Sequence, residues 1–373
     1  MTLIKVNTRG QQDNLGRRNI IINGAMEIAQ RAHNTASTGQ GASSNFLVDR
    51  FKANHNGNSA GRYTVSRVAD NHDGFYRALK YECTTADTSI AAGERFFIEQ
   101  PIEGQFLQGF RKGYSDAKDF VVSFYAKANG NFTYVCGFYD ADNNRTVSRT
   151  FAVTSSWQRF EINFGADTSG TFGRDGSLSL QLRWYLHAGS NYTSASLQTS
   201  WNAVNNAATA GGMTSSFFSS TDNTFFLTGV QLEVGDKGDG TSVATEFEHR
   251  SFGEELALCQ RYHYRRDIGI YDIVAIGHAL GDRGGYVLHT PTLMRAKPSV
   301  TQGSHIYCWY NNAGAVTAQN GLVVGYMAND AKDINQFYLR ANSNSTVQTG
   351  YGLGLTMYDS SATSSHVALD SEL

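Results

Sequence analysis

The chain has 373 residues, a formal net charge of −2 at pH 7, 12% aromatic residues and only 17% charged residues. This length allows two or three domains, while the charge balance and the lack of a basic stripe argue against nucleic-acid binding. The four scattered cysteines form no C-x-x-C pair, and no run of about eighteen apolar residues occurs, so we expect no disulfide framework, no zinc site and no membrane insertion.

Residues 1–18 are polar, carry charges of both signs and lack the apolar core of a signal peptide. We therefore expect synthesis in a cytoplasm and an N-terminal arm that docks onto a partner. The following run, RNIIINGAMEIAQRA, contains the turn signal Asn23-Gly24 between apolar residues, which predicts two short strands.

Alternating apolar and polar residues then predict repeated antiparallel strands up to Val234. The runs DFVVSFYAKANG and NFTYVCGFYD meet at a tight-turn sequence and predict a hairpin. Strands with one apolar face each predict two facing sheets, so the fold class is all-β, with a jelly-roll β-sandwich over residues 19–250. In the last strand, the predicted core side is Phe226, Val230, Leu232 and Val234.

The segment 188–222 is rich in Ser, Asn, Ala and Gly, which predicts a long surface loop anchored by Trp201. A helix is predicted after it, over residues 251–266, because Ser251 and Glu254 match the S-x-x-E capping box. We expect this helix to link two domains and to contact copies of itself in an oligomer. Its apolar positions are Phe252, Leu256, Cys259 and Tyr262.

Residues 267–373 contain six short strand patterns at even spacing, which predict a second, smaller β-sandwich. Pro298 has no backbone N–H to donate, so the stretch MRAKPSV is expected at a sheet edge or in a crossover.

Three motifs point weakly to chemistry. Asp140 and Asp142 begin a stretch like a calcium loop, but the sixth-position Gly is missing and Phe151 replaces the bidentate Glu, so a hairpin turn is favoured. The sequence GNSAG around Ser59 matches a nucleophile elbow without a following helix. Acidic pairs such as Glu99 and Glu103 lack a cleft signal. We therefore predict no enzyme activity, no cofactor and no metal site, with calcium as a weak alternative.

Aromatic side chains outside the predicted core indicate a binding surface, because sugar rings stack on Trp and Tyr. The alternative is that each ring fills a core or a contact between subunits. The candidate glycan-contact residues are Trp157, Tyr185, Tyr192, Trp201, Trp309 and Tyr310.

An ordered series of motifs between residues 18 and 264 resembles one family. The motifs include NIIINGAMEIAQRA, EQPIEG, SFYAKA, LTGVQLEVG and ATEFEHRSFGEELALCQRY. They are similar to tail-fibre-like virion proteins of bacteriophages, especially marine podoviruses, which contain a jelly roll like that of carbohydrate-binding modules. Ala29 stands where the family usually has Trp.

The resemblance implies a non-catalytic virion structural protein, a fibre or fibre-like appendage, that contributes to attachment to host-surface polysaccharide. It also implies docking of residues 1–18 to other virion proteins, self-association as a homotrimer, and location in the virion after synthesis in the host cytoplasm. A purely architectural adaptor or a capsid or tail decoration protein without receptor binding is the alternative, and a polysaccharide depolymerase is a third possibility.

Overall fold

The structure is a computed structural model. It describes residues 18–31, 44–56, 59–269, 272–280, 283–303, 306–310, 316–318, 320–324, 334–342, 352–357 and 365–373. The predicted arm, residues 1–18, therefore lies outside the described residues except for Arg18. The chain divides into two compact units, unit 1 (Met1–Arg250) and unit 2 (Ser251–Leu373). Within the described ranges, no helix has the length and apolarity needed to cross a bilayer.

Unit 1 consists of antiparallel strands and a few short helical turns. Its strands are β1 Ser44–Phe46, β2 Lys52–Asn56, β3 Arg62–His72, β4 Phe75–Thr85, β5 Arg95–Glu103, β6 Phe120–Ala128, β7 Phe132–Asp140, β8 Arg145–Val153, β9 Gln158–Asn163, β10 Leu178–Ala188, β11 Asn202–Ala203 and β12 Thr224–Val234. Its helical turns are Gly104–Phe106, Gln108–Phe110, Ser190–Thr193, Asn206–Ala208 and Phe217–Ser219.

These strands form two sheets with a shared apolar core. Sheet A has the order β1-β2-β5-β10-β7-β8-β11, and sheet B has the order β3-β4-β12-β6-β9. Side chains from both sheets, among them Trp184 of β10 and Phe124 of β6, belong to one buried cluster. Each fully buried side chain of this size contributes about 1.5–3 kcal/mol. The prediction of an all-β jelly-roll sandwich is confirmed.

The predicted hairpin between β6 and β7 is wrong, although both strands occur where the pattern placed them. Strand β6 pairs with β12 and β9 in sheet B, whereas β7 pairs with β10 and β8 in sheet A. The turn at residues 129–131 therefore joins the two sheets. Both faces of β6 are almost fully buried, so the alternating sequence of this strand does not correspond to one buried and one solvent-exposed face.

The core side of β12 was also predicted incorrectly at both ends, since Val234 at its end is exposed. Phe225 and Leu227 enter the core together with Val230 and Leu232, while Phe226 is half-buried on the outer face. The register between β12 and β6 shifts between Thr228 and Gln231. This β-bulge inserts one residue and reverses the inward and outward positions on either side of it.

The two strands predicted between Arg18 and Arg31 do not form. Asn23 and Met26 have φ angles of 62° and 59°, which breaks any extended strand. The segment is held instead by side chains, since Asn23 Nδ2 donates to the carbonyls of Ile28 and Asp49 at 2.8 and 3.0 Å. Its apolar residues Ile21 and Met26 are buried in the core.

The long segment that precedes β12 crosses the outer face of sheet A. A second, smaller apolar cluster lies there, between that segment and strands β5, β7 and β10. Its buried members are Phe97, Val135, Tyr185, Ala188 and Ala210, with Tyr192, Leu197 and Met213 packed against them. The outer face of sheet A is therefore partly covered, and what remains open is bordered by this segment.

Unit 2 begins with the helix α1 (Phe252–Gln260), whose predicted capping box is present. The Ser251 hydroxyl accepts from the Glu254 amide, and the Glu254 carboxylate accepts from the Ser251 amide. The helix ends six residues earlier than the predicted 266, because residues His263–Ile268 form a strand that pairs with Ser365–Asp370. Arg265 and Arg266 therefore lie in a strand and do not end a helix.

Unit 2 otherwise contains two antiparallel sheets. Its strands are β13 His263–Ile268, β14 Ile273–Leu280, β15 Arg283–Met294, β16 Ser299–Gln302, β17 Ile306–Tyr310, β18 Val316–Ala318, β19 Asn320–Val324, β20 Ile334–Asn342, β21 Gly352–Met357 and β22 Ser365–Asp370. The sheets have the orders β13-β22-β16 and β18-β17-β21-β14-β15-β20-β19. All six predicted strands occur, and β16 begins directly after Pro298 at a sheet edge.

Candidate functional site

A polar cleft opens on the outer face of sheet A, and we call it the Arg183 cleft. Its volume is about 260 Å³, near the lower end of the roughly 300–1,000 Å³ of small-molecule sites. The floor comes from outward positions of β5, β7, β8 and β10, and the segment at Val204–Thr209 contributes one wall. The described lining residues are Arg95, Tyr139, Asn144, Thr146, Arg183, Tyr185, Val204, Asn206 and Thr209.

Antiparallel register places the floor residues side by side. Arg183 of β10 lies opposite Glu99 of β5 and Gly137 of β7, and Tyr185 lies opposite Phe97. Gly137 has no side chain above Arg183, and an added Cβ would lie 2.3 Å from Ser148 Oγ. The glycine therefore leaves room for the Ser148 side chain of the neighbouring strand β8.

The Arg183 guanidinium is fixed by bonds from all three nitrogens. Its Nε donates to Glu99 Oε2 at 3.1 Å, Nη1 donates to Tyr185 Oη at 3.2 Å, and Nη2 donates to Gln181 Oε1. Its Cζ lies 4.6 Å from the centroid of the Tyr139 ring and 4.9 Å from that of Phe97. Because each nitrogen makes a hydrogen bond to the protein and two aromatic rings lie against the group, Arg183 acts as a rigid part of the floor.

The carboxylate of Glu99 completes this arrangement. Glu99 is 2% exposed and accepts from Asn54 Nδ2 at 2.6 Å in addition to Arg183, with Lys52 Nζ at 3.9 Å. Burial lowers the pKa of Arg183, but its interactions with Tyr185 and Glu99 outweigh burial and hold that pKa above its usual value. The Arg183 guanidinium is therefore charged at every pH near neutrality.

Arg95 occupies one end of the cleft. Its Nε donates to Asn56 Oδ1 at 3.0 Å, and its Cζ lies 4.8 Å from the Tyr192 ring centroid and 5.4 Å from that of Phe97. The side chain is half-buried. Two stacked rings and one hydrogen bond thus fix the direction of the guanidinium while leaving its Nη atoms for other acceptors.

Tyr139 and its neighbours supply the remaining chemistry of the cleft. The Tyr139 ring is half-buried, and its hydroxyl is 3.4 Å from Asn144 Oδ1. The Thr146 hydroxyl donates to the Phe138 carbonyl at 2.6 Å, which leaves its oxygen as an acceptor toward the cleft. An aromatic ring edged by amides, hydroxyls and a guanidinium suits a ligand that has both apolar faces and hydroxyl groups.

Two of the six predicted aromatic residues come together here. Tyr185 lies in the cleft floor, but only 2% of its surface is exposed, so it supports the floor and does not offer a ring to a ligand. Tyr192 stacks on Arg95 at the end of the cleft. Trp201 does not belong to the surface, because it is only 9% exposed and its ring packs in the main core against Phe120 and Phe138. The segment that carries it lies on the surface, but the ring fills the end of the sandwich between the sheets.

Trp157 lies elsewhere, on the outer face of sheet B. His72 stacks on its ring with 5.2 Å between centroids, and Lys127 Nζ lies 4.9 Å from its centroid. Both contacts already occupy the ring. Trp309 and Tyr310 belong to β17, and their side chains lie outside the described residues.

The four helix residues predicted to mediate linking or oligomer contacts do not share one environment. Cys259 and Tyr262 are buried within unit 2, Leu256 is half-buried and Phe252 is 63% exposed. Tyr262 lies beyond the end of α1, where the Ser371 amide donates to its carbonyl at 2.8 Å. The single apolar stripe expected from the sequence is therefore not observed.

The calcium alternative at Asp140 and Asp142 has no structural basis. Lys112 Nζ lies 3.1 Å from Asp140 Oδ2 and 3.2 Å from Asp167 Oδ2, with all three side chains buried. Asp142 instead accepts from the Gly173 amide at 2.8 Å. A protein ammonium thus fills the position between carboxylates that a cation would take, and no metal-binding group of three or more His, Cys, Asp or Glu residues occurs in the described ranges.

Ser59 is not placed as a nucleophile. It is buried, and its hydroxyl donates to Asp87 Oδ2 at 2.7 Å. Asp87 also accepts from the Ala60 and Ser89 amides at 2.8 and 3.1 Å, so the carboxylate organises a turn. This turn accounts for the GNSAG motif around Ser59.

Sequence reasoning missed Arg95, Tyr139 and Arg183 as members of a site, and it named Glu99 only as one of an acidic pair without a cleft. The alternating run LSLQLRWYL in β10 predicts Leu180, Leu182 and Trp184 on the core side, with Gln181 and Arg183 on the outer face. It did not reveal that β5 and β7 are the neighbours of β10, because strand order depends on long-range pairing.

Several solved structures align with part of this chain at low identity and low TM-score. A tailspike domain of bacteriophage CBA120 aligns over 58% of this chain with a TM-score of 0.29 and 11% identity, and only 21% of the tailspike chain is covered. TmCBM61 in complex with β-1,4-galactotriose aligns over 58% of this chain and 99% of its own, with a TM-score of 0.29 and 10% identity. A family 11 carbohydrate-binding module from Clostridium thermocellum in complex with a mixed-linked tetrasaccharide aligns over 54% and 98%, with a TM-score of 0.28 and 13% identity.

These TM-scores are too low to indicate a function for this chain. The sequence matches no protein-family model and no curated protein.

Proposed function

We propose that unit 1 binds a glycan in the Arg183 cleft and that the chain is a non-catalytic virion structural protein which contributes to attachment to host-surface polysaccharide. The observation that carries the proposal is the rigid floor of the cleft. β-Strands hold a partly exposed tyrosine ring and an Arg183 side chain that is bonded through all three nitrogens, and hydroxyl and amide groups lie beside them. Fixed groups lose little conformational freedom when a ligand binds.

In this proposal the Tyr139 ring is the stacking platform. The Arg183 guanidinium lies 4.6 Å from the ring centroid, and the half-buried ring lines the cleft. A sugar ring packs its C–H face on the tyrosine, while its hydroxyls bond to Asn144, Thr146 and Asn206. The volume of about 260 Å³ suits one or two sugar units.

The charges of the cleft support binding without catalysis. Glycoside hydrolysis generally uses two carboxyl groups that face each other across the sugar. Among the described residues that line the cleft there is no Asp or Glu, and the nearby Glu99 is buried under Arg183, Asn54 and Lys52. A depolymerase would need a carboxylate pair that this cleft does not supply.

The proposed place of the protein is a phage fibre or fibre-like appendage. Its support is the motif series between residues 18 and 264, which resembles tail-fibre-like virion proteins. In this proposal residues 1–18 dock onto other virion proteins and the chain forms a homotrimer. Mass spectrometry of purified particles tests the location, and absence of the chain from particles would contradict it.

The glycan proposal is tested by Tyr139→Ala. Wild-type protein is expected to bind members of a bacterial polysaccharide array and intact host cells. The variant is expected to bind about five- to thirtyfold more weakly, since loss of one aromatic–sugar contact of this kind costs on the order of 1–2 kcal/mol.

The matched control is Tyr76→Ala. Tyr76 is 52% exposed and lies on β4 of sheet B, away from the cleft floor. Its loss should leave binding unchanged. The proposal fails when the wild type binds no polysaccharide, or when the Tyr139 and Tyr76 variants bind as well as the wild type.

A purely architectural role is the second candidate function, and one observation favours it. Unit 2 exposes the apolar side chains of Ile273, Ile276 and Leu293. Exposed apolar side chains are typical of surfaces that contact another protein. An adaptor or decoration protein would use such contacts alone, and then no polysaccharide would bind to unit 1.

A further inference from the structure

We propose that the glycan bound in the Arg183 cleft is acidic and that its anionic substituent binds Arg95. This inference rests on the proposed function and adds the chemical class of the ligand. The relevant substituent is a carboxylate of an acidic sugar, or a sulfate or phosphate ester, because all three present oxygens that a guanidinium can bind in pairs.

The two arginines of the cleft differ in which nitrogen atoms are hydrogen-bonded to protein. Arg183 donates from Nε, Nη1 and Nη2 to Glu99, Tyr185 and Gln181. Arg95 donates only from Nε, to Asn56. In the described part of the chain, no protein acceptor bonds to either Nη atom of Arg95.

Arg95 is nevertheless held in place. Its Cζ lies 4.8 Å from the Tyr192 ring centroid and 5.4 Å from that of Phe97, and its backbone is at the start of β5, opposite Asn56. A guanidinium fixed by stacking, with its outer nitrogens unbonded, is a preorganised anion site. Binding there orders little that is not already ordered.

The charge of the lining favours an anion. The charged residues that line the cleft, in the described part of the chain, are Arg95 and Arg183. Glu99 on the neighbouring strand pairs with Arg183, and Lys52 lies 3.9 Å from the same carboxylate. The positive charge of Arg95 therefore has no carboxylate partner, and an acidic ligand would supply one.

The test compares binding of acidic oligosaccharides with binding of the same oligosaccharides after carboxyl reduction, desulfation or dephosphorylation. The wild type is expected to prefer the acidic member of at least one pair by about tenfold or more, and the preference should fall as NaCl is raised. The treatment that removes the preference identifies the anionic group. Arg95→Gln is expected to abolish the preference while retaining affinity for the neutral member.

Two further variants separate the possible failures. Arg95→Lys keeps the charge without the paired donors and should retain part of the preference. Arg77→Gln is the matched control, because Arg77 also stacks on a tyrosine, 4.5 Å from the Tyr76 ring centroid, but on sheet B. The melting temperature of each variant reports whether it folds.

Equal binding of acidic and neutral members, with both sensitive to Tyr139→Ala, would overturn the acidic inference and leave the proposed function standing. A preference unaffected by Arg95→Gln would likewise overturn the role of Arg95. Absence of any binding by the wild type would overturn the proposed function itself.

Discussion

At the scale of single residues, unit 1 stabilises several buried charges by pairing them within the protein. Lys112 lies between Asp140 and Asp167, and Arg145 binds Asp167 with bonds of 2.8 and 3.0 Å. Burial of an unpaired charge would cost several kcal/mol, which explains why these carboxylates and cations occur together. Arg95, which is half-buried, has no carboxylate partner in the described part of the chain, and we therefore propose that it binds the anionic group of a ligand.

His187 gives a pH-dependent prediction at this scale. It is fully buried, with Nδ1 at 2.8 Å from Ser216 Oγ and Nε2 at 3.3 Å from Glu94 Oε2. Burial lowers the pKa of His187 from 6.5 to about 4, with Asp87 acting against burial and His55 reinforcing it. The unfolded chain therefore takes up a proton before the folded chain does.

The stability contributed by neutral His187 is present above pH 6.5 and is lost as the pH falls from 6.5 toward 4. Between pH 7 and pH 5 this loss amounts to about 2 kcal/mol. Burial also raises the pKa of Glu94, which acts in the opposite direction, so the effect of His187 must be isolated with a variant.

Urea unfolding at pH 7 and pH 5 measures the effect in the wild type and in His187→Gln. The variant should lose less stability than the wild type over this interval. His289→Gln, at an exposed histidine, should behave like the wild type. An equal loss in the wild type and His187→Gln would show that His187 does not titrate as described.

At the scale of elements, local irregularities decide which side chains reach the core. The bulge in β12 turns Phe225 and Leu227 inward before it and Val230 and Leu232 after it. Gly229 lies within the bulge with φ of 60°, a conformation that favours glycine. An added Cβ would lie 2.7 Å from Phe75 Cζ and 2.8 Å from Tyr125 Cδ2.

Gly229→Ala is therefore expected to destabilise unit 1 by about 2–4 kcal/mol, from the strained backbone and the crowded rings together. Gly240→Ala is the matched control, because Gly240 has φ of 80° but no atom within 4 Å of the added Cβ. It should cost only the backbone part, about 1–2 kcal/mol. Denaturant unfolding measures both, and equal losses would contradict a steric role at Gly229.

At the scale of the whole molecule, two compact units meet at Arg250 in the chain. Unit 1 closes on itself, because the Arg250 guanidinium donates to the carbonyls of Asn19 and Ile21, and the Asn19 amide donates to Glu248 at 2.8 Å. The first and last described segments of unit 1 are thereby joined, as expected of a domain with its own core.

The proposed homotrimer is tested at this scale by light scattering, which should give three times the chain mass of 40.8 kDa. We expect the exposed apolar residues of unit 2 to contribute to assembly, so Ile276→Lys, at a side chain 72% exposed, should weaken it. Tyr76→Lys, in unit 1, should not. A monomeric wild type would contradict the trimer, and a trimer insensitive to Ile276→Lys would contradict this contact.

The sequence by itself determined the all-β class, the capping box at Ser251 and Glu254 and most strand positions. These features depend on residues close together in the chain, through alternation and helix-terminus hydrogen bonds. The core positions Leu180, Leu182 and Trp184 of β10 follow from the same alternation.

Only the tertiary structure decided which strands are neighbours, that β6 and β7 belong to different sheets, and that a bulge reverses the faces of β12. It alone placed Trp201 in the core and brought Arg95, Tyr139 and Arg183 into one cleft. Strand pairing joins residues far apart in the chain, and its free energy comes from burial and hydrogen bonds that no local pattern records.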